Sequence, residues 1–284
     1  MRKRSVLLVA LCSTVALALA AAVAAGAVVY GGLYNVGSTW QHWQVTHTVL
    51  ETAMRHSVRR RAGDIVEPPL GDAQQVLRGA ACFRDKCVQC HGAPGVAQGD
   101  IGRSMQPLPG PLVDAPLHWR ARELYWVTRH GIKMSGMPAW EYRLTEGELW
   151  DVVAFMQQLP LLGAQSYAQL VQRGPAAPSC GRGPSTPMAN APADVERGRQ
   201  ALHQYACSAC HIIPGVTGSS PHVGPTLDGM GSRQLIAGQL ANTPDNLALW
   251  LMKTQQVKPG TAMPELGLAP QDARDIAAYL GTLR

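Results

Sequence analysis

The sequence predicts an all-α protein in which two small helical domains follow an N-terminal transmembrane helix. Three observations lead to this fold class: residues 6–29 are an apolar run without charge, residues 71–163 and 191–284 repeat one order of features, and both repeats end on an apolar stripe with helical spacing. Neither repeat shows the alternation of apolar and polar residues that marks a half-buried strand.

The apolar run near the N-terminus is long enough to cross a membrane. Residues 6–29 comprise 24 residues after three cationic ones, and a transmembrane helix needs about 20. A cleaved signal peptide is the alternative, because Ala-rich triplets at 20–25 could be cut, although its apolar region is usually about 7–15 residues long. Residues 1–34 are therefore assigned to an anchor or a signal peptide, and either one exports the rest of the chain.

Residues 35–70 are predicted to form a juxtamembrane helix. Its helical part, residues 45–61, ends in three consecutive arginines. These side chains could contact lipid headgroups or a partner subunit, and a solvated connecting helix is the alternative.

The excess positive charge lies outside the two predicted domains. Of the formal charge of +6, residues 1–70 contribute +4 and residues 164–190 contribute +2, so each domain is neutral. A protein that binds nucleic acid carries its basic residues on a folded domain. We therefore expect membrane and protein partners and no nucleic acid.

The two domains, domain 1 (71–163) and domain 2 (191–284), repeat one pattern. Each opens on a helical stretch with a glycine ahead of a cysteine motif, continues to a Met-Pro pair and closes on an amphipathic helix. The closing helix of domain 1 begins with a capping box at Thr145 and Glu148. Residues 173–194 are rich in Pro, Gly, Ser and Ala, and residues 164–190 are predicted to be an extended, semi-flexible linker.

Both domains contain a Cys-x-x-Cys-His motif, at residues 87–91 and 207–211. This is the attachment signature of c-type haem. On a helical turn, positions i and i+3 share a face, so both thiols can reach the two vinyl groups of one porphyrin while the next histidine is directed at the iron. We predict two covalently bound haem c groups. The attachment residues are Cys87, Cys90, Cys207 and Cys210, and the histidine ligands are His91 and His211.

Three other uses of these cysteines are disfavoured. A zinc site built from both pairs would need them about 15–20 residues apart, whereas Cys90 and Cys207 are 117 positions apart. A thioredoxin-like motif would lie near a βαβ pattern, which the sequence does not show. Disulfides within each motif would leave the two adjacent histidines unexplained.

A methionine opposite the histidine would complete the iron coordination, raise the haem potential and close the iron to substrates. In domain 2, Met263 lies 52 residues after His211 in a predicted loop and precedes a proline. In domain 1, Met137 lies 46 residues after His91 and also precedes a proline, whereas Met134 does not. We therefore predict Met137 and Met263 as axial ligands, with Met134 as the alternative in domain 1.

Domain 2 resembles class I cytochromes c. Its stretch HVGPTLDGMGSR resembles the Gly-Pro-x-Leu segment of that family, which implies that the carbonyl of Pro225 accepts a hydrogen bond from His211. Residues 242–268 are similar to the cytochrome c domain fused to subunit II of some haem–copper cytochrome oxidases. The resemblance supports Met263 as a ligand and implies a respiratory setting.

Domain 1 resembles the same family with one departure. Residues 123–160 are similar to cytochrome domains of exported dehydrogenases and oxidase-linked diheme proteins, which supports Met137. After the haem motif the pattern is lost, and three prolines at 107, 109 and 111 could each support the histidine. Cys82 and Cys180 are left over, and they could pair in an oxidising compartment if their geometry allows it.

The resemblance implies an electron-transfer protein and not an enzyme. Together with the apolar run and the two haem motifs, it implies a diheme cytochrome anchored in the bacterial cytoplasmic membrane, with its haem domains in the periplasm. A quinol-oxidising complex or a dehydrogenase would be the electron donor, and a terminal oxidase the acceptor. The alternatives are a dedicated cytochrome subunit of an exported dehydrogenase complex and a diheme peroxidase, which would need one open iron.

Overall fold

The computed structural model describes residues 2–176, 180–181, 191–218, 221 and 223–284. The chain forms two compact units, Met1–Cys180 and Gly181–Arg284. In both units nearly all of the regular secondary structure that is described is helical, in agreement with the predicted fold class.

The first unit contains nine helices in its described part, and their connections range from a single residue to long loops such as 31–43 and 104–114. The helices are α1 (Arg2–Tyr30), α2 (Gln44–Arg61), α3 (Ala73–Lys86), α4 (Val88–His91), α5 (Asp100–Arg103), α6 (Ala115–His118), α7 (Ala121–His130), α8 (Glu146–Met156) and α9 (Ala164–Arg173). Two 3-10 turns span Trp140–Tyr142 and Leu159–Leu161.

The second unit has four helices in its described part and one small hairpin. The helices are α10 (Val195–Gln204), α11 (Pro244–Met252), α12 (Thr254–Val257) and α13 (Pro270–Gly281). Strands β1 (Leu235–Ile236) and β2 (Leu240–Ala241) pair antiparallel, with Leu235 opposite Ala241. Two 3-10 turns span Cys207–Ala209 and Met230–Ser232.

Helix α1 has the length and composition of a membrane span. Ser5–Tyr30 has a mean hydropathy of 2.6 and is 0% buried by the rest of the protein. An anchor and a signal sequence share these properties. The helix therefore agrees with the predicted apolar segment and fits either assignment.

The core of each domain is a crossing of its first and last helices, α3 with α8 and α10 with α13. A Cβ placed on Gly79 would overlap the backbone carbonyl of Asp151, and one on Gly198 would overlap that of Asp275. The absence of a side chain therefore lets the two backbones touch. The predicted capping box at the start of α8 is present.

An arginine next to each of these glycines clamps the same crossing. The Nε of Arg78 donates to Asp151 at 2.8 Å, and the Nε of Arg197 donates to Asp275 at 2.8 Å. In both pairs Nη2 adds a second bond of 3.0 Å to the other carboxylate oxygen. Such two-pronged pairs fix the relative rotation of the helices as well as their distance.

The predicted linker begins too early. Residues 164–173 form helix α9, whose Tyr167 is buried and whose Leu170 and Val171 pack on the core of domain 1. These side chains have the i, i+3, i+4 spacing of an amphipathic helix. Cys180, further along, is joined to Cys82 of α3 by a disulfide with a Cα–Cα distance of 5.3 Å. Most of the remaining linker, including residues 182–190, lies outside the described residues.

Helix α2 is exposed over most of its length, but its C-terminal end is packed on domain 1. Val58 is 1% exposed and Ala62, just beyond the helix, is fully buried. Arg122 of α7 holds this end through a hydrogen bond of 3.2 Å to the carbonyl of Gly63. The juxtamembrane segment is therefore packed on domain 1 by apolar contacts and a polar one.

Candidate haem-binding sites

The Cys-x-x-Cys-His motif of domain 1 forms the junction of α3 and α4. The N–H of Cys87 donates to the carbonyl of Phe83 at 2.9 Å, and that of His91 donates to the carbonyl of Cys87 at 2.9 Å. The chain thus stays helical through the motif. Cys87 and Cys90 consequently lie one turn apart on one face, as attachment to a single porphyrin requires.

The motif of domain 2 is reached through a sharper bend. Ala206 adopts a left-handed conformation, with φ of 53°, between α10 and the 3-10 turn that carries Cys207. The N–H of His211 then donates to the carbonyl of Cys207 at 3.0 Å. The two motifs therefore share their last turn, although the helices that lead into them end differently.

Each motif histidine contacts one backbone carbonyl. His91 Nδ1 lies 2.7 Å from the carbonyl oxygen of Gly110, and His211 Nδ1 lies 2.7 Å from that of Pro225. A carbonyl only accepts hydrogen bonds, so the proton resides on Nδ1 and the lone pair on Nε2. This is the tautomer that a metal-binding imidazole needs. In domain 1 the acceptor is Gly110, which stands between two of the three prolines considered above.

The surroundings of the motif side chains suit an uncharged covalent link. All four motif cysteines are free thiols in the structure, so no disulfide forms within either motif. Burial raises the pKa of Cys87 to about 12 and that of Cys207 to about 11. A thioether carries no charge, so haem attachment leaves no ion in these apolar surroundings. Burial also lowers the pKa of His91, against the opposing effect of its bond to Gly110.

A partly open cavity of about 1000 Å³ lies against the haem motif of domain 1. This volume lies at the upper end of the range of about 300–1,000 Å³ that is usual for ligand and cofactor sites. Its lining is mainly apolar and includes both motif cysteines, His91, Met134 and Met137. The residues present therefore fit a covalently attached haem, which supplies a one-electron couple when bound.

The two methionines at 134 and 137 differ in how they are held. The N–H of Ile132 donates to the carbonyl of Met137 at 3.2 Å, and the N–H of Met137 donates to Ser135 Oγ at 3.2 Å. Met134 is 98% exposed and has a φ of 60°, in the left-handed region. The half-buried and restrained Met137 is therefore the better candidate for an axial ligand.

Met263 of domain 2 is restrained in a comparable way. It is half-buried against the core of domain 2. The Nε2 of Gln255 donates to the carbonyl of Met263 at 3.0 Å and to that of Thr261 at 2.9 Å. A single amide thus holds the loop at two carbonyls just before Pro264. Gly224 also lies directly against His211, because a Cβ at that position would overlap the imidazole ring.

Sequence reasoning missed two methionines that line the domain 1 cavity, Met54 and Met105. The Sδ of Met105 would lie 2.6 Å from a Cβ on Gly136, so it touches the loop that carries Met137. Neither residue precedes a proline or has a counterpart in the repeat. No signal in the sequence therefore distinguished them from methionines of an ordinary core.

Comparisons with known proteins agree with these sites. Residues 74–156 match the family model "Cytochrome C oxidase, cbb3-type, subunit III", and residues 195–284 match the model "Cytochrome c". The chain is 34% identical over 91 residues to "Cytochrome c oxidase subunit 2" of Alkalihalophilus pseudofirmus, which covers 32% of this chain and 26% of that protein. The chain thus spans about a quarter of this relative's length. No solved structure matches the chain.

The family models and the repeated motif agree on the same two segments. Each matched segment contains one Cys-x-x-Cys-His motif, one histidine–carbonyl contact and one Met-Pro loop. The predicted resemblance to c-type cytochromes is thereby confirmed. Residues 74–156 and 195–284 are therefore cytochrome c domains, carried in tandem on one chain.

Proposed function

We propose that this chain is a membrane-anchored diheme cytochrome that passes single electrons toward a terminal oxidase in the bacterial periplasm. The repeated histidine–carbonyl contact of 2.7 Å carries the proposal, because it prepares one imidazole in each domain as an iron ligand. Met137 and Met263 would complete the two coordination spheres. Iron closed on both faces exchanges electrons without binding a substrate.

The residues of the chain itself have three tasks in this function. The motif cysteines fix the haem, and the carbonyls of Gly110 and Pro225 orient the histidines. The buried apolar surroundings exclude water, which sets how strongly each oxidation state is stabilised. The docking surface then selects the redox partner.

The membrane side of the proposal is supported by α1 and by the disulfide. No residue of the span Ser5–Tyr30 in α1 is buried in the protein. The disulfide between Cys82 and Cys180 fits an oxidising compartment such as the periplasm. A tether at the membrane would raise the local concentration of each domain near membrane-bound partners. Since both domains are neutral overall, encounter would depend on this tether more than on net charge.

The oxidase as acceptor is supported by two of the three similarities, since the family matched by residues 74–156 and the relative from Alkalihalophilus pseudofirmus are both named for cytochrome c oxidase. A quinol-oxidising complex or an exported dehydrogenase would be the donor. A dedicated subunit of an exported dehydrogenase complex is the second candidate. Purification from native membranes separates these two, because the proposed role requires an oxidase among the co-purifying proteins.

The first experiment counts haem. The full chain is produced in a bacterium that attaches haem c, and its intact mass is measured. We expect two haems per chain, and one in each of the matched variants Cys87→Ala/Cys90→Ala and Cys207→Ala/Cys210→Ala. A single haem in the parent chain would overturn the diheme proposal.

The second experiment tests the closed iron. The ferric protein should be low-spin at both haems and should reduce added hydrogen peroxide no faster than a closed cytochrome does. A high-spin haem together with rapid peroxide turnover would support the peroxidase alternative. Oxidation of the reduced chain by oxidase-containing membranes, blocked by an oxidase inhibitor, would support the proposed acceptor.

A further inference from the structure

The cavity of domain 1 has a wall that lies outside the cytochrome segment of the chain. The family model begins at residue 74, yet helix α2 contributes residues to the lining. These residues follow the helical spacing along one face. They are His47, Leu50, Glu51, Met54 and Arg55.

One end of α2 is fixed to the domain, and this holds the rest of the same face over the cavity. Val58 and Ala62 are buried against the domain. One turn earlier, the guanidinium of Arg55 lies 5.3 Å from the ring centroid of Trp119, a residue of the same lining. Arg55 is itself held by Glu51 at 2.9 Å and 3.1 Å. The burial of Val58 and Ala62 and the contact of Arg55 with Trp119 thus define the orientation of the helix.

The exposure of Leu50, on this face of α2, is not explained by contacts within the protein alone. Leu50 is 57% exposed although it faces the cavity. Its neighbour Val49 is 60% exposed and is not among the described residues that line the cavity. Apolar side chains that face a mainly apolar cavity beside the haem-binding motif would gain their burial from a cofactor.

We propose that Leu50 and Met54 of α2 are haem-binding residues that pack against the haem held at Cys87 and Cys90. The inference rests on the proposed haem of domain 1 and adds the juxtamembrane helix to its site. This helix lies between the anchor and domain 1 in the sequence, and it covers that haem. Electrons would consequently enter or leave domain 1 through a part of the haem that α2 does not cover.

A charge at Leu50 tests the proposal through the redox potential. A negative charge near the haem stabilises the ferric form and lowers the potential, and a positive charge raises it. In the full diheme chain, Leu50→Glu and Leu50→Lys should shift one of the two redox transitions in opposite directions. Their ratios of oxidised to reduced haem at a fixed applied potential should differ by about tenfold. The shifted transition should be the one missing from Cys87→Ala/Cys90→Ala.

Val49→Glu and Val49→Lys are the matched controls, because they place the same charges one residue away on the face that does not line the cavity. Equal shifts at 49 and 50, or no shift at 50 with both haems attached, would overturn the role of α2. A parent chain without haem at Cys87 and Cys90 would instead overturn the diheme proposal and this inference together.

A second measurement does not depend on introduced charge. Leu50→Cys and Val49→Cys are labelled with a soluble maleimide, and peptide mapping separates these sites from Cys12. Attached haem should slow labelling at position 50 by about tenfold relative to the Cys87→Ala/Cys90→Ala background, because a thiol reacts more slowly where it is covered. Labelling at position 49 should be the same in both backgrounds. Equal rates at position 50 with and without haem would contradict a haem contact.

Discussion

Domain 1 and domain 2 use one helix crossing but are covered to different extents. Both place a glycine and an arginine of the first helix against an aspartate of the last helix, and both orient a histidine with a carbonyl. Domain 1 adds α2, α9 and the disulfide at Cys180 to this plan. The shared helix crossing and histidine contact serve haem binding. The added helices and disulfide occur in domain 1, which is next to the anchor in the sequence.

The two domains also differ in the aromatic residues of their cores. In domain 1, Phe83 and Phe155 meet at the helix crossing with ring centroids 5.1 Å apart, and Tyr125 stacks on Trp150 at 4.1 Å. Domain 2 packs its crossing largely with aliphatic side chains such as Leu202 and Ile276. The crossing is thus maintained by its backbone contact and its ion pair, while the surrounding core can change.

The largest expected effect comes from replacing the glycine of a crossing. Gly79→Ala and Gly198→Ala each force a methyl group into a backbone carbonyl of the facing helix. We expect each to cost about 3 kcal/mol or more of its own domain's stability, the upper end of overpacking. Thermal unfolding, followed at the haem, measures the loss.

The control for both glycine variants is Gly147→Ala in α8, where a Cβ meets nothing within 4 Å. It should change stability by less than about 1 kcal/mol. A small effect of Gly79→Ala with a large effect of Gly198→Ala would show that the two crossings are not equivalent.

The next prediction concerns the methionine ligands. Domain 1 has two candidates, Met134 and Met137, whereas domain 2 has Met263. Met137→Ala should abolish methionine ligation at the domain 1 haem entirely, while Met134→Ala should leave it intact, because Met134 is exposed. Near-infrared magnetic circular dichroism reports the ligand directly. If only Met134→Ala removes methionine ligation, the assignment of Met137 is wrong.

Removing the disulfide should lower the stability of the first unit and leave that of domain 2 unchanged. The disulfide closes a sequence separation of 98 residues in the first unit. Replacing both cysteines, Cys82→Ala with Cys180→Ser, should destabilise that unit by about 2–4 kcal/mol. The unfolding transition of domain 2 should not move, and this is the internal control. A chain whose two transitions shift together would contradict independent unfolding of the domains.

The sequence predicted the parts of the fold that repeat. The Cys-x-x-Cys-His motif has a spacing set by the porphyrin, and the closing helices have an apolar period, so both could be read without a structure. The carbonyl of Gly110 could not be predicted, because domain 1 departs from the Gly-Pro pattern after its motif. The packing of α2 was also missed, since its buried contacts depend on the tertiary position of residues as small as Ala62.

The smallest expected effect concerns the ion pair of domain 2 and its dependence on pH. Burial raises the pKa of Asp275, but hydrogen bonds from Arg197, from the N–H of Asp194 and from Gln271 outweigh it and leave the pKa lowered. The folded state therefore holds this proton less tightly than the unfolded state. The resulting stabilisation is complete above the ordinary pKa of a carboxyl group and is lost as the pH falls through the lowered value.

Asp275→Asn should remove this part of the acid sensitivity of domain 2. At neutral pH it should destabilise the domain by about 1–2 kcal/mol, because a charged acceptor is lost while Arg197 stays partly hydrated. At a pH below the lowered pKa the parent and the variant should converge. Glu265→Gln, at an exposed position, is the control and should leave the pH profile unchanged. A difference between parent and Asp275→Asn that persists undiminished in acid would show that the carboxylate acts through its shape and hydrogen bonds and not through its charge.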